Sequence, residues 1–162
     1  MLPVLLSFRL IADLSSPDRR AVGFLEGHGQ LNAAQAFGRL RSKDVDTLRQ
    51  RMDRWCDGMP GPKAYFHGWN EDGYRECMVF KLNNDQRFYG FKYHPLPRSN
   101  AAFQLCVLNI HAYKREKETD DAELDRVNEW RVSLAAQSAI AKVYPENGRE
   151  KWKPSQNQIR RN

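Results

Sequence analysis

The sequence predicts an α+β fold, an antiparallel β-sheet with a mixed edge, with N-terminal helices and one C-terminal helix packed on one face. Three observations predict it. Apolar residues recur at helical spacing over about 31–56. The period then changes to 2 after the breaker Asp57-Gly58-Met59-Pro60-Gly61-Pro62. A second helical stretch covers about 119–143. Strands in succession, flanked by helices rather than alternating with them, specify an α+β domain.

Taken in order, residues 3–14 read as a strand through Val4, Leu5, Leu6, Phe8, Leu10 and Ile11. A signal peptide is disfavoured there, because no basic segment precedes the apolar run and Arg9 interrupts it. Ser16 before Pro17 looks like a helix start, and that short helix ends near Gly27. Helices follow over about 31–41 and 43–56, the second with Val45, Leu48, Met52 and Trp55 on one side. Strands are predicted at 63–69, 74–82, 86–94 and 102–113. Asn83-Asn84-Asp85 turns the central hairpin. The last strand is apolar on both faces at its start, which places it centrally in the sheet. Asp120 with Glu123 starts the final helix, whose inward residues include Leu124, Val127, Trp130, Leu134 and Ile140. The domain therefore spans 1–144, and 145–162 reads as a flexible basic tail.

The 162 residues carry 26 Lys and Arg against 20 Asp and Glu, a net charge of +6. The excess lies in 61–118 and in 145–162, with an acidic segment between them. A modest basic excess suits a polyanion partner without requiring one. Three scattered cysteines, Cys56, Cys77 and Cys106, form no disulfide framework and read as reduced thiols in a cytoplasm. No apolar run approaches the ~18 residues of a membrane span. Phosphate-binding glycine loops, HExxH, GxSxG and zinc-ligand spacings are absent. These absences point away from nucleotide-dependent and metal-dependent chemistry.

What remains is a basic and aromatic sheet. The strand at 86–94 alternates Arg87, Tyr89, Phe91, Tyr93 against Phe88, Gly90, Lys92, His94. On 102–113, strict alternation puts Asn109, His111 and Tyr113 on one face and Cys106, Leu108 and Ile110 on the other. The strand runs into Lys114-Arg115-Glu116-Lys117. Cations among aromatics suit RNA, because guanidinium and ammonium groups hold phosphates while rings stack on unpaired bases. They also suit metal-free cleavage, in which a 2′-hydroxyl attacks the adjacent phosphate and cations stabilise the growing charge. His94, His111, Tyr93 or a lysine are candidates for the proton transfer. Each residue taken alone also fits a packing or solvated role.

The stretch 63–131 resembles the RelE/ParE toxin superfamily, closest to its HigB-like, phage-derived branch. The matching residues are Lys63…Gly68, Gly73-Tyr74-Arg75-Glu76, Gln86-Arg87-Phe88-Tyr89-Gly90-Phe91, Val107 to Glu116, and Thr119 to Leu124. The order and spacing together carry the likeness. Cys77-Met78 stands after Glu76 where this branch has an Arg, and Asp120 replaces the usual Pro. The resemblance implies a RelE-like fold and the toxin of a type II toxin–antitoxin pair. Such a toxin is a metal-independent endoribonuclease that cuts mRNA on the ribosome. Its partners would be a cognate antitoxin, mRNA and the ribosome, with no membrane and no small-molecule cofactor. The implied catalytic set is Arg87, Lys114 and Arg115, with His94 or His111 moving the proton. Arg75, Lys81, Lys92, Tyr113 and Lys117 would hold RNA. Two alternatives stand beside this: a non-catalytic member of the same fold acting by protein binding, as gyrase inhibitors do, and a generic RNA-binding module.

Overall fold

The computed structural model describes residues 5–15, 20–83, 85–93, 104–114 and 121–143. Its elements run β1 (Ser7–Ser15), β2 (Arg20–Glu26), α1 (Ala33–Gly38), α2 (Ser42–Cys56), β3 (Phe66–Gly68), β4 (Cys77–Lys81), β5 (Gln86–Tyr93), β6 (Gln104–Tyr113), α3 (Asp121–Arg131) and α4 (Leu134–Ala141). One six-stranded sheet has the order β1-β2-β6-β5-β4-β3. Every pairing is antiparallel except β2 with β6, so the sheet is mixed. No helix among the described residues is long and apolar enough to cross a membrane.

Three expectations are corrected. First, the helices do not share a face. Ala21, Leu25, Val79, Tyr89, Phe91, Leu105 and Val107 pack with Leu124, Val127, Ala136, Ala139 and Ile140 of α3 and α4. Val22, Phe24, Met78, Phe80, Phe88, Cys106 and Leu108 pack with Ala33, Leu48, Met52 and Trp55 of α1 and α2. The central strands are apolar on both sides, and each side must be covered from water. Second, residues 20–26 form a strand, not a helix. Ala21, Val22, Phe24 and Leu25 are all fully buried, which a one-sided helical stripe does not allow. Instead β2 sits between β1 and β6 and gives one side chain to each core in turn. Third, the single C-terminal helix is two. The chain breaks at Val132-Ser133, and the Ser133 hydroxyl accepts from the Ala136 N–H at 3.3 Å to start α4. Leu134, expected inward, is exposed.

The remaining elements follow their local chemistry. Helix α2 ends where Gly58 takes φ +73°, with Gly58 N–H bonded to the Trp55 carbonyl and Met59 N–H to that of Arg54. This pattern needs a left-handed residue, which glycine adopts without a Cβ penalty. The β4–β5 hairpin turns as predicted, because the Asn83 side chain accepts from the N–H groups of Asp85 and Gln86 at 3.0 and 2.8 Å. Arg51 of α2 donates to the Lys81 and Leu82 carbonyls and stacks 4.3 Å from the Tyr65 ring, tying the helix to the end of β4.

One irregularity sets the site. Tyr89 pairs with Ile110 and Gly90 with Leu108, so Asn109 is an extra residue in β6. This bulge reverses the alternation after it. Ile110 joins the α3–α4 core while Leu108 belongs to the α1–α2 core, contrary to the alternation read from the sequence. His111 and Tyr113 therefore share a face with Cys106 and Leu108.

Candidate functional site

The end of the sheet where β3 and β5 begin and β4 and β6 finish gathers basic residues on both faces. On the α3 face Lys81 lies opposite Arg87, and Arg87 lies opposite Ala112. His67 is opposite Val79 on the same face. Lys114 follows on this side and pairs with Glu123, in the first turn of α3, at 3.0 Å. Lys63, just before β3, is close enough for its charge to act on both His67 and Lys81. Trp69 supplies ring surface and packs on the buried Tyr89, with centroids 6.4 Å apart.

Electrostatics in this cluster run one way. Burial lowers the Lys81 pKa, and the Arg87 and Lys63 charges lower it further. His67 is also lowered, by burial first and then by Lys81, Lys63 and Arg87, against a raising hydrogen bond to Gly68. The His67 Nδ1 lies 2.9 Å from the Gly68 carbonyl oxygen. A carbonyl only accepts, so Nδ1 carries the proton and Nε2 is the acceptor nitrogen. A neutral imidazole with a fixed tautomer among cations can take a proton from a hydroxyl beside a phosphate. Sequence reasoning named His94 and His111 and missed His67. The signal was Tyr65-Phe66-His67-Gly68-Trp69, a strand with Phe66 inward and His67 on the other face, but the face it shares is fixed only by the register with β4.

On the opposite face His111 and Tyr113 border a cleft of about 450 Å³ between α1 and the end of β6, lined also by Asn32, Gln35, Arg39, Arg41 and Gln86. Asn32 clamps β6, its side chain donating to the His111 carbonyl at 3.1 Å and accepting from the His111 N–H at 2.8 Å. The His111 ring lies 4.8 Å from both Phe88 and Tyr113, and burial lowers its pKa.

The expected site residues thus divide. Arg87, Lys81 and Lys114 meet on the α3 face. His111 and Tyr113 stand on the other, one strand position away but across the sheet. Lys92 and Arg75 are near the far end. Lys92 is about 17 Å from Arg87 at roughly 3.4 Å per residue, and Arg75 precedes β4 in an exposed ion pair with Asp72 at 3.1 Å. His94, Arg115, Lys117 and the tail 145–162 lie outside the described residues. Arg87 is only 4% exposed. No family model, curated protein or solved structure matches the chain.

Proposed function

We propose that this chain is a toxin-like endoribonuclease of a type II toxin–antitoxin pair, which cuts mRNA on the ribosome without a metal. The observation that supports it is the cluster of Lys63, His67, Lys81, Arg87 and Lys114 at one end of the α3 face. The resemblance of 63–131 to the RelE/ParE superfamily points the same way. In this reaction His67 Nε2 takes the proton of a ribose 2′-hydroxyl. The oxygen attacks the adjacent phosphorus, and the P–O5′ bond breaks. The products are a 2′,3′-cyclic phosphate and a 5′-hydroxyl, whose proton returns from the imidazolium. Lys81 stabilises the charge that builds on the phosphoryl oxygens, where preorganised cations act most strongly, and the buried Arg87 opposite it adds to the positive field.

The test is induced expression in a bacterium, with growth followed and mRNA 5′ ends mapped, for wild type, His67→Gln and Lys81→Gln. Both substituted side chains are partly exposed, so thermal melts can confirm that the variants fold. Growth arrest with coding-region cuts, reduced about a hundredfold or more in both variants, is expected for a general base and a phosphate-stabilising cation. Undiminished cutting in both, or intact mRNA with wild type, would overturn it.

The burial of Arg87 and the Lys114–Glu123 pair favour a second reading, a non-catalytic protein of the same fold that acts through protein contacts. It predicts arrest without cuts, unaffected by either substitution.

A further inference from the structure

We propose that the cleft between α1 and the end of β6 binds a nucleotide unit, an aromatic base with its phosphate, on the face opposite the cation cluster. This goes beyond the function proposed above, since it stands whether or not the chain cleaves RNA. The cleft of about 450 Å³ is within the size range of small-ligand sites and suits one nucleotide. Tyr113 is 70% exposed, yet its ring is held edge-on to His111 at 4.8 Å and 89°. An exposed ring held in place is a stacking surface for an unpaired base.

The polar groups complement a base edge. His111 Nε2 lies 3.1 Å from the Gln86 Oε1. That oxygen only accepts, so the imidazole donates and the Gln86 amide nitrogen is left with its two donors directed elsewhere. Gln35 brings a second carboxamide to the lining. Carboxamides present a donor and an acceptor side by side, as base edges do. Asn32, by contrast, is consumed in clamping β6, which makes it the scaffold of the cleft.

Charge completes the match. Arg39 and Arg41 line the cleft with Asp44 as its acidic group. Arg41 reaches Asp44 at 3.4 Å through Nε and Nη2, both to one carboxylate oxygen, and remains largely exposed. Two guanidinium groups against one carboxylate leave a net positive rim for a phosphate.

The nucleotide can come from a single RNA strand or be free, and the experiment separates these sources. A fluorescent 2′-O-methyl hexauridylate, which lacks the attacking hydroxyl and cannot be cleaved, is titrated into the full chain with anisotropy as readout. Tyr113→Ala is expected to weaken binding about tenfold through lost stacking. Arg39→Ala is expected to weaken it severalfold and to flatten its salt dependence. Backbone amide shifts should fall on Gln86 and His111. Competition by UMP at about 10 mM would assign a free nucleotide as ligand, given millimolar affinities for such small contacts; binding of the hexamer without that competition would assign a strand. Binding that neither variant alters, or the absence of binding of both probes, would overturn the proposal. Since the probe is not a substrate, failure here is distinct from failure of the cleavage reading, which rests on His67 and Lys81.

Discussion

At the residue scale, Asn109 and Gly90 show what the β6 bulge demands. Asn109 is fully buried, and neither its amide nitrogen nor its oxygen has a hydrogen-bond partner among the described residues. An unpaired buried amide costs about 1–3 kcal/mol, and an apolar group of the same shape does not carry that cost. Asn109→Leu should therefore raise the melting temperature, read by calorimetry. Gly90 is the opposite case. A Cβ there would stand 2.2 Å from the Val107 carbonyl oxygen and 2.9 Å from the Leu108 Cα, both backbone atoms that cannot swing aside. Gly90→Ala should cost about 3 kcal/mol or more, as overpacking against rigid neighbours does, visible as a lower denaturation midpoint. The Asn109 bulge was not legible in the sequence, because nothing in Leu108-Asn109-Ile110 distinguishes it from strict alternation. His67 was overlooked for a related reason. A short strand declares its period weakly, and the strand that fixes its face lies 10 residues on.

At the element scale, helix ends and clamps carry most of the testable weight. Ser133 starts α4 with a side-chain cap that α1 and α2 lack. Ser133→Ala should cost about 1 kcal/mol, measured in urea. Asn32 joins α1 to β6 through two hydrogen bonds. Asn32→Ala leaves the His111 N–H and carbonyl without those partners and should cost about 2 kcal/mol. It should also loosen the cleft, so hexauridylate affinity falls in step. The helix α2 and the β4–β5 hairpin were legible beforehand, since Leu48, Met52 and Trp55 are all buried and Asn83 turns the chain. The segment 20–26 was not. Ser16-Pro17 is a sound local helix start, but Ala21 to Leu25 gain more by filling two cores at once, and tertiary burial overrode local preference.

At the scale of the whole molecule, the titrating groups set the pH range of stability. Burial pushes His67 and His111 below the ordinary histidine value of about 6.5. Below that value the unfolded chain binds protons that the fold refuses, so stability is full above about pH 6.5 and declines as pH falls through it. The thiols act at the other limit. Burial raises Cys56, lifts Cys77 to about 11 and lifts Cys106 to about 12. Above the ordinary thiol value of about 8.5 the unfolded chain releases protons that the fold retains, so stability declines there too. Denaturation midpoints should thus be highest near neutral pH, and His67→Gln with His111→Gln should remove most of the acid-side slope. All three thiols should resist a thiol reagent in the native protein and react once it is unfolded.

The sequence by itself determined the α+β class, the helical pair before β3, the β4–β5 turn and the concentration of cations toward the end of the chain's middle segment. These are local properties, written in periodicity, breakers and composition. Only the tertiary structure decided that helices cover both faces, that β2 is a strand at the parallel junction with β6, and that Arg87 and His111 stand on opposite sides of the sheet. The first two depend on which strand pairs with which, and the third also on a single extra residue, Asn109, in β6. A shift of one residue in register exchanges the faces of every side chain beyond it, and no local pattern records that shift.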